Sequence, residues 1–188
     1  SRDIGKFSAV DIIDTGVIGS AAYDTVYVSY VDDTANDLKF AKSTTGGAPW
    51  TTKVADSTFV LGNTSIDAVN PDTIYISYHD GSDLKFARST NGGDTWTLST
   101  IDSIGEVGQF TSIVAVDPGT AADSTDDHIL ISYRDITNGD LRVAKSTTGG
   151  TGASPWLVTT VDGAAANVGS DTSIDRLDAG TPGVLTDD

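Results

Sequence analysis

Three copies of one stretch, Thr25 to Trp50, Thr73 to Trp96 and His128 to Trp156, constrain the fold more than any other feature of this chain. The middle copy, T-I-Y-I-S-Y-H-D-G-S-D-L-K-F-A-R-S-T-N-G-G-D-T-W, reads as two strands about a tight acidic turn, then a Gly-rich turn that ends on tryptophan. Its first half alternates, with Ile74, Ile76 and Tyr78 set against Tyr75, Ser77 and His79, the two-residue period of a strand. V-Y-V-S-Y from Val26 and I-L-I-S-Y from Ile129 are its counterparts. The second half is Leu38 to Lys42, Leu84 to Arg88 and Leu141 to Lys145 in the three copies, and a further strand follows each tryptophan.

A small-residue strand precedes each copy. With Ser8, Thr64, Thr111 and Thr172 taken as equivalent, the spacings are 56, 47 and 61 residues, the scale of propellers and solenoids. Four short strands joined by tight turns form an antiparallel meander. Both faces of each meander carry apolar residues, so each needs a neighbour on either side, which is the condition of a β-propeller blade. The expected fold is therefore all-β: three complete four-stranded blades, at about 5–56, 57–103 and 104–163, and the opening strand of a fourth at about 169–188. The longer inserts, 14–24, 117–127 and 150–155, fall in connections. Such a chain leaves Thr172 to Leu177 with a bare edge and the first blade with an uncovered face carrying Val10 and Ile12. The expectation is a segment of a longer propeller, or a ring completed by identical chains.

Composition excludes several classes of function. Eleven basic residues face 27 acidic ones, a formal net charge of −16, and Glu106 is the only glutamate. Nucleic-acid affinity rests on clustered Lys and Arg, so a phosphate-backbone partner is not expected. Aspartate with Gly, Ser and Thr favours turns over helices. Cysteine is absent, which removes disulfides and thiolate metal sites. No apolar run approaches the ~20 residues of a spanning helix. The chain opens at Ser1 with neither Met nor a signal peptide, as a mature or trimmed product would.

At the Gly-rich turn the sequence resembles the Asp-box (BNR) repeat of sialidase-like β-propellers, S-x-D-x-G-x-T-W. The middle copy holds Ser89, Asn91, Gly93 and Trp96, with Asn in the Asp position. The first holds Ser43, Gly47 and Trp50, with Thr45 in that position, and the third holds Ser146 and Gly150 before an insertion and Trp156. The resemblance implies a folding element, in which a polar side chain ties the turn's amides, Gly allows positive φ and Trp packs into the blade. Sialidase-like catalysis implies three arginines for the substrate carboxylate, a Tyr nucleophile with an acidic partner, and an Asp acid/base. The chain has five arginines, none in a motif of that family, so no catalytic residue is carried over.

Antiparallel order puts the turns between second and third strands, and the blade-to-blade links, on one face. Asp32, His79, Asp80, Arg134, Asp135 and Glu106 are the candidate ligand contacts there, beside Asp56, Asp102 and Asp162. Such a rim can bind sugar hydroxyls directly or through Ca²⁺, whose ligands are oxygens; no cofactor is required. The competing reading is that these aspartates cap turn amides. Asp11, Asp67 and Asp175 share one register of the first strand, where they line a wet central channel or bond to neighbouring amides.

These features favour a non-catalytic, secreted or cell-surface module that binds glycans or builds a surface assembly. The alternatives are a piece of a sialidase-like glycoside hydrolase and a structural subunit of a filament or sheath. The absence of paired carboxylates in a motif context weighs against catalysis. Far-UV circular dichroism of such a chain should show strand without helix.

Overall fold

The computed structural model of the protein describes residues 3–14, 24–120, 123–163 and 167–176. Arg2, most of the 14–24 connection and the chain from Leu177 onward lie outside the described residues. Among those described there are twelve strands and no helix. They form three four-stranded antiparallel sheets in simple meander order. The first blade is β1 (Ile4–Ile13), β2 (Thr25–Asp32), β3 (Asp37–Ser43) and β4 (Thr51–Asp56). The second is β5 (Thr64–Ala68), β6 (Ile74–His79), β7 (Leu84–Ser89) and β8 (Thr97–Asp102). The third is β9 (Val107–Val116), β10 (His128–Asp135), β11 (Asp140–Ser146) and β12 (Leu157–Asp162). The fold is that of propeller blades.

The core lies between blades. One buried cluster joins Tyr27, Leu38 and Phe40 of the first blade to Ile66, Ile74, Ile76 and Tyr78 of the second. The other joins Tyr75, Leu84 and Phe86 of the second to Ile113, Ile129, Ile131 and Tyr133 of the third. This is why all six residues of β6 are buried: alternate side chains face opposite neighbours, and both neighbours are present.

Three kinds of polar contact recur at the joints. A serine on the second strand of one blade bonds a threonine on the first strand of the next, as Ser29···Thr64 at 2.8 Å and Thr111 to Ser77 at 2.7 Å, and Ser132 meets the equivalent Thr172 at 3.0 Å. A tyrosine hydroxyl donates to the aspartate closing the previous blade's last strand, Tyr78 to Asp56 at 2.6 Å and Tyr133 to Asp102 at 2.7 Å. Side chains of each first strand accept amides from the next one. Asp11 takes Ala68 N–H (2.8 Å), Ser65 takes Ile113 (3.2 Å), Asp67 takes Ala115 (2.6 Å) and Ser112 takes Ile174 (3.2 Å). Residues 172–176 thus stand against β9 as β9 stands against β5. They form no strand, because no second strand pairs with them among the described residues.

The Gly-rich turns close in one way. The hydroxyl oxygens of Ser43, Ser89 and Ser146 accept the amides of Gly47, Gly93 and Gly150 at 3.1, 2.9 and 3.0 Å. Asn91 Oδ1 accepts Thr95 N–H at 2.9 Å. Trp96 and Trp156 depart from the expectation of packing within their own blade, because the second and third turns lean on the blade before them. Trp96 meets Phe40 edge-on with centroids 5.2 Å apart, and Trp156 meets Phe86 at 5.0 Å. Gly93 and Gly150 have positive φ, and a Cβ on either would run into those phenylalanine rings. Trp50, with no preceding blade among the described residues, is 44% exposed, and a Cβ on Gly47 would meet nothing within 4 Å.

Candidate functional site

Most of the acidic rim is spent on structure. Asp32 is buried and accepts the amides of Thr34 and Ala35, so it caps the turn between β2 and β3. Asp80 caps the next such turn through Ser82 and Asp83, and also faces Lys85 at 4.0 Å. Asp135, buried, accepts the Asn138 amide and pairs with Arg142 at 2.7 Å. Asp56 and Asp102 are buried in the tyrosine joints, and Asp102 also holds Arg142 at 3.0 Å. Arg134 donates to Asn167 at the rim of the third blade. Of the six candidate contacts, His79 and Glu106 come together, while Asp32 and Asp135 lie beneath their turns.

His79 and Glu106 belong to an open cleft of about 380 Å³ on this face. Its walls are Phe7 at the start of β1 and Phe110 with Gln109 near the start of β9. Asn63, just before β5, completes it. Phe7, Asn63, Phe110 and Asp171 immediately precede the equivalent residues Ser8, Thr64, Thr111 and Thr172, so successive repeats supply one position each. Phe7 and Phe110 sit in β-bulges, at the register shifts between Lys6 and Ala9 of β1 and between Gln109 and Ser112 of β9. Their φ angles are +52° and +54°, a region that bulky side chains enter only under strain. Bulges of this kind re-aim side chains and concentrate beside binding sites. Sequence reasoning missed both phenylalanines. The available signal was that Phe stands directly before the aligned hydroxyl residue in two of four repeats.

Electrostatics on this face are one-sided. His79 is buried, and burial pushes its pKa down against the opposing pull of Asp80, Glu106 and Asp83, so the ring carries no charge at neutral pH. Its Nε2 has no hydrogen-bond partner among the described residues. Neither lysine nor arginine lines the cleft. No group of three or more His, Asp or Glu side chains converges as a metal site would require, among the described residues.

The first-strand aspartates sit on the inner side of the joints. Asp11 and Asp67 are both committed to amides of the neighbouring blade, and Asp67 is pushed up to about 6 by burial, with the charge of Asp11 adding to the shift. Exposed Asp175 accepts the amide of Arg176. Tyr78 with Asp56 and Tyr133 with Asp102 are tyrosine–carboxylate pairs, yet both hydroxyls are fully buried and burial drives their pKa values far above the usual tyrosine range. Neither can serve as an exposed phenolate nucleophile.

No protein-family model matches the sequence, and no curated protein sequence matches it. Among solved structures, the chain resembles the intramolecular trans-sialidase from Ruminococcus gnavus, solved in complex with oseltamivir carboxylate. The TM-score is 0.50 and the identity 21%, over 73% of this chain and 31% of that one. Against a mutant NanB sialidase from Streptococcus pneumoniae the TM-score is 0.40 at 13% identity, over 72% of this chain and 28% of that one. The chain therefore spans about a third of the sialidases it matches. What it shares with the trans-sialidase is the fold, a sialidase-like β-propeller of four-stranded blades.

Proposed function

We propose that the chain is a carbohydrate-binding segment of a sialidase-like propeller, one that holds a sugar rather than cleaving it, in a secreted or cell-surface protein. The cleft between Phe7 and Phe110 carries this reading. It is concave, joins two aromatic walls to a few polar groups, and lies where links from successive blades meet. The Gly-rich turns, on this reading, are Asp-box repeats whose serine and Asn91 tie the turn while Trp96 and Trp156 wedge it onto the preceding blade. Binding is preferred to hydrolysis because the aspartates and tyrosines best placed for catalysis are occupied as turn caps and blade joints.

The second reading, part of a glycoside hydrolase whose reacting groups lie on other blades, draws on the likeness to the trans-sialidase. One pair of measurements separates the two. The 188-residue chain should retain glycans on an array or in titration calorimetry, and should turn over a fluorogenic sialoside no faster than a heat-killed control. Turnover above that control would replace the binding reading with the hydrolytic one.

A further inference from the structure

We infer that the cleft accepts an uncharged hexopyranose laid against Phe7 and Phe110, and that it rejects sugars bearing a carboxylate. This deepens the reading of the cleft as a sugar site and rests on it.

Two equivalent bulges carry the aromatic half of the argument. Phe7 and Phe110 occupy the same position in the first and third blades, both with φ near +50°, and both line one cleft. Phe7 is 44% exposed, so its ring is open to a ligand. A pyranose ring presents C–H groups on its faces and hydroxyls around its edge. Its faces can cover exposed aromatic rings while its edge stays hydrogen-bonded. Asn63 uses Oδ1 to accept the Phe110 amide at 3.1 Å, which leaves its Nδ2 as a donor toward a ligand hydroxyl. Gln109 and Glu106 add an amide and an acceptor on the same lining.

Charge selects within the sugars. Glu106 lines the cleft, and Asp80 and Asp83 bear on His79 from the adjoining turn. The nearby lysines are engaged by carboxylates: Lys85 faces Asp80 at 4.0 Å, and Lys6 holds Asp33 at 2.7 Å. Arg134, across the ladder from Gln109, is engaged with Asn167, the cleft has no cation in its lining and His79 stays neutral, so an incoming carboxylate meets the like charge of Glu106. An uncharged ring carries no such penalty.

Titration calorimetry and saturation-transfer NMR on the full 188-residue chain test this. The probes are the neutral trisaccharides cellotriose, maltotriose and chitotriose, and the anionic 3′-sialyllactose. At least one neutral trisaccharide should bind at least about tenfold more tightly than sialyllactose. Phe7→Ala should weaken that binding about tenfold with the circular dichroism spectrum unchanged, since the ring is largely outside the core. Gln109→Ala, which removes a lining amide beside the β9 bulge and keeps both phenylalanines, should weaken it by a smaller factor. Sialyllactose binding as tightly as the neutral sugars, or more so, overturns this inference and leaves the sugar-binding reading standing. Neutral-sugar binding that ignores both variants moves the site elsewhere. Binding of no sugar overturns the parent reading, and this inference with it.

Discussion

Trp96 and Trp50 are the same residue in two copies of one motif, and their surroundings differ completely. Trp96 stands edge-on to Phe40, which stacks on Tyr27 with centroids 6.1 Å apart, so three aromatic rings bridge the first and second blades. Among the described residues Trp50 has no such partner, and it is 44% exposed. Removing a large aromatic side chain from a packed site costs about 3–5 kcal/mol, whereas removing an exposed one costs little. Trp96→Ala should therefore lower the unfolding free energy by about 3 kcal/mol or more, and Trp50→Ala by less than about 1 kcal/mol. Urea titration of both variants checks this. Equal losses would mean that the motif's tryptophan stabilises its own blade and not the joint.

Among the elements, the innermost strands are held side by side through side chains rather than through a ladder. Asp11 and Asp67 take the place of backbone acceptors for Ala68 and Ala115, while Val114, in the same register, offers nothing to the segment beyond it. The carboxylate of Asp67 carries a cost, because burial and the neighbouring Asp11 lift its pKa from 3.8 to about 6. A raised carboxyl pKa means the folded state holds a proton that the unfolded state has released. Its contribution to stability is fully present below about pH 4 and is lost as pH rises through about 6. Asp67→Asn keeps an oxygen for the Ala115 amide and removes the charge. Relative to the parent chain it should gain stability between pH 4 and pH 7, with the two nearly equal at the acid end. A difference that does not change with pH would show that Asp67 is not the group being charged. Measuring melting temperatures of both proteins over that range decides it.

For the molecule as a whole, the two outer faces of the three-blade stack matter most. Val10, Ile12, Val54 and Trp50 are all exposed on the first blade, whereas Ile66, Ala68 and Trp96, the second-blade counterparts of Val10, Ile12 and Trp50, pack in the cluster that contains Phe40. Leu157 and Val161 are exposed at the other end, on the last strand of the third blade. Apolar surface gathered on one sheet face favours association in water. The 188-residue chain by itself should show a mass above monomer in light scattering, rising with protein concentration. Ile12→Lys, which places a charge on the first blade's open face, should lower it. A monomer at all concentrations would show that these faces do not associate.

Strand identity, blade number and turn position were legible in the sequence because each depends on local order. A two-residue apolar period and a Gly-rich turn leave the same trace wherever they occur, and three repeats left it three times. The destinations of side chains were not legible, because they depend on which blade stands on either side. For Asp32 and Asp135 the acidic turns left two readings, ligand contact or cap of a turn amide, and only the structure shows them underneath as amide acceptors. Trp96 reads as part of its own blade, yet its partner lies 56 residues upstream at Phe40. The cleft was the least visible feature. Phe7, Asn63 and Phe110 are separated by roughly a blade each in sequence, and only the stacking of successive blades, with a bulge in two of them, brings them to one wall. Sequence alone determined what each repeat is; the packing of one repeat on the next decided what its side chains do, since a blade finds its core, its hydrogen-bond partners and its cleft only in its neighbours.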